Sequence, residues 1–193
     1  ARMAQLVFFL PALFWFVTGR AGRLRASDYL MFGFILWSSL ALFVHGGMSL
    51  IEFIGISAIE FLTPYLLART LIRTPAQYRQ TLRICFVVVV MLAGAAAIEA
   101  TTEFRVFNRI FDVVGRTYPP VPDQYERRLG MVRAEGTFQH PIMFGVVMSL
   151  FFAPFFYMRR RDGRQGGARR AFWSAMATFF SLSTGAWLST MTQ

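Results

Sequence analysis

The stretch Arg133-Ala134-Glu135-Gly136-Thr137-Phe138-Gln139-His140-Pro141 holds residue types that could act together on an anion. Pro141 suits the first position of a helix, which puts His140 at the cap, where unpaired N–H groups and the positive end of the helix dipole favour negative charge. Arg133 lies upstream, and Gly136 between them frees the backbone to fold back. A guanidinium and a helix N-terminus could then converge on one phosphate group. The competing reading makes Arg133 one of several solvated or headgroup-binding arginines, together with Arg127 and Arg128 just before it.

A second candidate is Glu60, a carboxylate in the middle of an apolar run and therefore costly to keep in a membrane. Pro64 cannot donate a helical hydrogen bond to the carbonyl of Glu60, so a kink is expected there. Glu60 then has either a structural part, bonding that freed carbonyl or a neighbouring helix, or a part in moving protons or substrate. The run Ser181-Leu182-Ser183-Thr184-Gly185-Ala186-Trp187-Leu188-Ser189-Thr190 reads as close helix packing, with a polar tunnel wall as the sharper alternative. With only His45 and His140 available, no metal-ligand spacing occurs, and neither a phosphate-binding Gly-Lys loop nor a Ser/His/Asp set is present. No metal or cofactor is expected. The single Cys85 cannot form an internal disulfide and reads as packing.

The elements that must carry these residues are set by composition. Hydrophobic residues make up 55% of the 193 residues, charged residues only 16%, and there are 22 Phe. Apolar runs near 3–18, 29–44, 50–68, 84–97, 141–158 and 171–188 approach or reach bilayer-spanning length. The expected fold is an all-α, polytopic integral membrane protein with about six transmembrane helices in a single domain, which excludes a soluble enzyme with a large core. The run at 3–18 does not read as a signal peptide, since Arg20, Arg23 and Arg25 follow its apolar core. All 20 basic side chains are arginine and the net charge is +10. In a soluble domain that balance would suggest nucleic acid. Here no nucleic acid is expected and the charge reads as topology. The loops 19–28, 69–83 and 159–170 are Arg-rich and should be cytoplasmic, whereas the turn 45–49 and the loop 101–140, whose arginines are matched by acids, should lie outside. Because the chain starts at Ala1 and stops just after an apolar run, it reads as a piece of a longer protein.

The outer loop divides into three parts. Phe104, Phe107, Ile110, Phe111 and Val114 recur at helical spacing opposite polar residues, predicting a short helix on the outer membrane surface that Gly115 can close. Tyr118-Pro119-Pro120-Val121-Pro122 should run extended as a stiff strut. It delivers Tyr125-Glu126-Arg127-Arg128 and then the Arg133–Pro141 stretch.

These residues resemble the bacterial O-antigen ligase and O-antigen polymerase family, exopolysaccharide polymerases included. The likeness rests on an R-x-x-G-x-x-x-H-P element at Arg133, Gly136, His140 and Pro141 opening an outward-starting span, then a basic cytoplasmic loop, then a Ser/Gly-rich span. Two positions depart from the family pattern: Ile142 stands where Asn often follows His-Pro, and Thr184 stands where Arg often separates Ser from Gly. The resemblance implies a metal-independent membrane glycosyltransferase of the bacterial inner membrane. It would take glycan from a polyprenyl diphosphate carrier and join it to an acceptor glycan or glycolipid on the outer face, in surface polysaccharide biosynthesis. It further implies that Arg133 lies near the diphosphate and that His140 orients it or bonds phosphate oxygen, the alternative being a purely structural helix cap. Gly136, Pro141, Arg127 and Arg128 would line the substrate site. A second large outer loop with further Arg and His would lie beyond Gln193, so this chain alone is expected to be inactive. Ligase and polymerase remain alternatives. A rival reading is a proton-coupled transporter or lipid-linked glycan flippase built around Glu60 and the Pro64 kink, and a third is a non-catalytic membrane subunit.

Overall fold

Apolar runs rich in Leu, Phe, Ala and Val, punctuated by Gly, Pro and Arg, fold here into helices. The computed structural model describes residues 2–113, 127–138, 140–158 and 163–193. Helix dominates, in the order α1 (Arg2–Val17), α2 (Ala26–Gly46), α3 (Ile51–Leu71), α4 (Pro75–Thr102), α5 (Val106–Val113), a short hairpin β1 (Arg127–Arg128) and β2 (Met131–Val132), α6 (Pro141–Ser149), α7 (Phe152–Tyr157), α8 (Gly163–Phe180) and α9 (Thr184–Met191). The expected strut at 118–122, the helix-closing Gly115, and Tyr125 and Glu126 lie outside the described residues. Two compact units emerge, residues 1–78 and 79–193.

In the first unit, α2 and α3 are each 21 residues long, about 32 Å at 1.5 Å per residue. A single 3-10 turn, Gly47–Leu50, reverses the chain between them, with Gly47 at φ +57°. The two helices are therefore an antiparallel pair. Their far ends are pinned by Asp28, whose side chain is 1 % exposed. Asp28 Oδ2 accepts the Arg25 backbone N–H at 2.7 Å and Arg69 Nη2 at 2.8 Å. Its Oδ1 accepts Arg69 Nε at 2.7 Å and the Tyr65 hydroxyl. Arg69 also donates to the carbonyls of Ala21 and Arg23 in the turn before α2. One bidentate ion pair thus ties that turn, the start of α2 and the end of α3 together. Helix α3 runs through Pro64 without interruption, and Glu60 is exposed on it.

In the second unit the buried core gathers Val89, Leu92, Ala93 and Ala96 of α4, Phe144 and Met148 of α6, Phe155 of α7 and Ala177 of α8. The runs expected as single spans at 141–158 and 171–188 are each interrupted. Pro154 has no N–H for the carbonyl of Leu150, and its ring crowds that carbonyl, so the chain breaks at Leu150–Phe151 between α6 and α7. The Gln193 amide bridges the opened ladder, donating to the Ser149 carbonyl at 3.1 Å and accepting the Ala153 N–H at 3.1 Å. The second break, Ser181–Ser183, separates α8 from α9 and is described below.

The stretch Ala26–Leu71 and helix α4 are long and apolar enough to cross a membrane, and in the first none of the most apolar window is buried within the protein. Leu30, Leu36, Trp37 and Val44 on α2 are each more than 70 % exposed.

Removing one partner of the buried Asp28–Arg69 pair leaves an uncompensated charge, which costs about 3–5 kcal/mol. Arg69→Ala is therefore expected to lower the thermal unfolding midpoint of the detergent-purified protein sharply. Arg73→Ala, which removes an exposed arginine from the following loop, should leave it unchanged. Equal midpoints for the two variants would remove Asp28 from its place as the lock of the first unit.

Candidate functional site

The break between α8 and α9 leaves backbone carbonyls that a continuous helix would have satisfied, and it does so where Ser181, Leu182 and Ser183 are all buried. Each finds a donor. Thr178 O accepts the Ser181 N–H, the Ser181 hydroxyl at 2.7 Å and the Trp187 indole Nε1–H at 3.3 Å. Phe179 O accepts the Leu182 N–H, and Ser183 O accepts the Trp187 N–H. The next three donors come from a distant part of the chain. Ala134 N–H reaches Phe180 O at 3.0 Å, Arg133 Nε reaches Ser181 O at 3.3 Å, and Arg128 Nη1 reaches Leu182 O at 3.3 Å. Leu182 holds φ +49°, a left-handed conformation that costs a branched residue about 1–3 kcal/mol and persists only where its surroundings enforce it.

The donors are delivered by the β1–β2 hairpin, whose two-residue turn Leu129-Gly130 has positive φ at both positions, as a type I′ turn requires. Beyond it, Arg133–Gly136 passes between the α8–α9 break and the end of α4. There Glu99, 3 % exposed, accepts two successive backbone N–H groups, Glu135 on Oε1 at 3.3 Å and Gly136 on Oε2 at 3.1 Å. Successive amides of this kind form a concavity for an anion, and the occupant is the protein's own carboxyl group. Arg105 lies 3.7 Å from Glu99 and 3.1 Å from Glu135. Gly136 has φ +58°, and a side chain there would press on the Phe144 ring at 3.2 Å.

The residues singled out by spacing are thus distributed as follows. Arg133 is 4 % exposed and braces the α8–α9 break. Gly136 supplies the backbone reversal and one amide to Glu99. Pro141 opens α6, and His140 is exposed at its cap with Nδ1 accepting the Ile142 N–H at 3.2 Å. Arg128 joins Arg133 at the break, whereas Arg127 makes an exposed ion pair with Glu103. Glu60 belongs to the first unit. Among the described residues no group of His, Cys, Asp and Glu could hold a metal ion.

No family model, curated protein or solved structure matches the chain.

Glu99 was not anticipated from the sequence. It lies just past the apolar run 84–97, a position where a carboxylate is ordinarily solvated, and its partners are backbone groups that no side-chain pattern reveals. The break at Ser181 left a weak signal, since Ser-Leu-Ser-Thr-Gly combines hydroxyl residues that compete for backbone hydrogen bonds.

Helix α6 approaches the break so closely that a Cβ on Gly145 would lie 2.2 Å from Ser181 Oγ and 2.8 Å from Ala186 Cβ. Gly145→Ala is accordingly expected to destabilise the protein by about 1–3 kcal/mol through overpacking. Gly145→Ala combined with Ser181→Gly should recover part of that loss. Thermal unfolding of the two variants checks this, and a double variant no better than the single one would show that the break is not in contact with α6.

Proposed function

We propose that the chain is a multi-pass protein of the bacterial inner membrane and forms part of a glycosyltransferase of the O-antigen ligase/polymerase type. In this reading it joins glycan from a polyprenyl diphosphate to an acceptor glycan or glycolipid at the outer face. The observation that carries the proposal is the meeting of its two sequence elements. Arg133 and Ala134 of the R-x-x-G-x-x-x-H-P stretch bond to Ser181 and Phe180 of the Ser/Gly-rich span, although about fifty residues separate them. The membrane setting is supported by the large apolar side chains exposed along α2 and α3, a surface that water does not tolerate. Asp28 and Arg69 join the Arg-rich turn before α2 to the end of α3, which is consistent with both of these ends facing the cytoplasm.

In this scheme the departing diphosphate needs fixed positive charge, and a guanidinium held rigidly beside a helix break provides it without a metal. His140, exposed at the start of α6, stands on the same stretch where a phosphate oxygen or the acceptor hydroxyl would arrive. The interrupted pair α8–α9 also favours a carrier, since discontinuous helices build many transport sites.

Topology is tested by single cysteines in a Cys85→Ser background. Thr137→Cys should react with an impermeant thiol reagent on cells stripped of any outer barrier, and Ala76→Cys should not; the reverse pattern would put the site on the wrong face. Activity is tested in the full-length protein by transfer from a polyprenyl diphosphate donor, normalised to folded protein. Loss of one or two charged hydrogen bonds in Arg133→Ala should slow transfer about ten- to a hundredfold or more, with partial recovery in Arg133→Lys. Arg127→Ala, which removes an exposed ion pair, should be near normal. Unchanged transfer by Arg133→Ala, with substrate movement across the bilayer instead, would favour the carrier.

A further inference from the structure

Where α1 gives way to α2, the first unit carries an ordered turn rich in one sign of charge. Its own backbone folds it, with the Arg20 N–H donating to Trp15 O at 3.0 Å and the Gly22 N–H to Gly19 O at 2.9 Å. Arg69 then holds it against the end of α3 through the carbonyls of Ala21 and Arg23. Arg20, Arg23 and Arg25 are exposed on this turn, and Arg73, just past α3, is exposed at the same end of the unit. Arg20 rests over the Trp15 ring, 5.5 Å from its centroid, a contact that leaves its charge uncancelled. The acid at this end is Asp28, which is buried and whose oxygens are taken by Arg69, Tyr65 and the Arg25 backbone N–H. The other acids of the unit, Glu60 and Glu52, lie roughly 14 and 26 Å from Arg69 along α3. Among the described residues Arg20, Arg23, Arg25 and Arg73 form no ion pair.

The same turn borders apolar surface. Leu24 is exposed between Arg23 and Arg25, and Val17, Tyr29 and Leu71 are exposed on the adjoining turns of α1, α2 and α3. We propose that this turn binds the headgroups of anionic phospholipids in the leaflet it faces. Its guanidinium groups meet phosphate, and the apolar side chains beside them enter the acyl region. A soluble polyanion would use the arginines and leave the apolar collar in water, whereas a zwitterionic headgroup brings its own cation to a surface already crowded with positive charge. Because Arg69 fixes the backbone of the turn, the surface is formed before a lipid arrives. The proposal rests on the membrane reading above and is independent of the transferase chemistry at Arg133.

The test places a bimane fluorophore on Leu24→Cys in a Cys85→Ser background, with the full chain in phosphatidylcholine nanodiscs that leave both faces accessible. A minor fraction of phosphatidylglycerol carrying a nitroxide near the headgroup end of its chain should quench the bimane several-fold more than the same fraction of equally labelled phosphatidylcholine. Arg20→Gln, Arg23→Gln and Arg25→Gln combined should bring the two lipids to the same level, and high salt should do so in the parent by screening exposed charge. The triple variant changes exposed side chains, so its thermal unfolding midpoint should stay close to the parent's, which separates lost binding from lost folding. Equal quenching by both lipids in the parent, or an excess that survives the triple variant, would overturn the proposal and leave the membrane reading intact. Absence of quenching by either lipid would overturn both. Loss of the excess on adding a short oligonucleotide at physiological ionic strength would give the surface to a soluble polyanion and overturn the lipid assignment.

Discussion

The carbonyls of Phe180, Ser181 and Leu182 govern the second unit. A helix interrupted among buried apolar residues exposes acceptors that no water reaches, and each one left unmet costs about 1–3 kcal/mol. A continuous helix would have met them within itself. Here the chain recruits Ala134, Arg133 and Arg128, and doing so fixes the hairpin, the passage of Arg133–Gly136 over the end of α4, and the insertion of Glu99 beneath it. The close approach of Gly145 to Ser181 and of Gly136 to Phe144 follows, since only glycine leaves room at both places. The geometry of the candidate site is thus a consequence of backbone satisfaction.

The first unit solves a related problem with charge. A buried Asp28 is tolerable because its oxygens receive a forked guanidinium, a phenol and a backbone N–H, and because Arg69 has further carbonyls to bond. In both units an arginine works at an apolar boundary by reaching backbone carbonyls. That use suits arginine, whose five donors lie in one rigid plane.

Helical character was legible from apolar runs alone, and the six expected runs each fall on helix. Their continuity was not. Pro154 sat inside the fifth run and broke it through a local rule that apolarity masks, since Phe-Phe-Ala-Pro-Phe-Phe reads as one hydrophobic block. The sixth run broke at Ser181–Ser183 because distant donors were available to support the break, and such support is invisible to any window of sequence. Pro141 and His140 were readable because capping is local. Glu99 was not, because its partners are amides brought from a segment 36 residues away. Arg128 and Arg133 were picked out as cations for a ligand, and the structure adds a use for both in supporting carbonyls.

On the transferase reading proposed above, that structural use would also serve the chemistry. A guanidinium whose Nε is fixed on Ser181 O has its plane set. A flexible surface arginine would have to be ordered by each arriving phosphate, at a conformational cost of up to about 2 kcal/mol. An arginine already ordered by the protein's own backbone escapes that cost, and its charge sits in a region of low dielectric where it acts more strongly on a nearby anion. Glu99 adds a second constraint of the same kind. By occupying the amides of Glu135 and Gly136 it holds the segment that carries Arg133 against α4, so the position of the guanidinium is defined from both sides. Lysine at 133 could meet the carbonyl with its ammonium, but it has no plane for that contact to set.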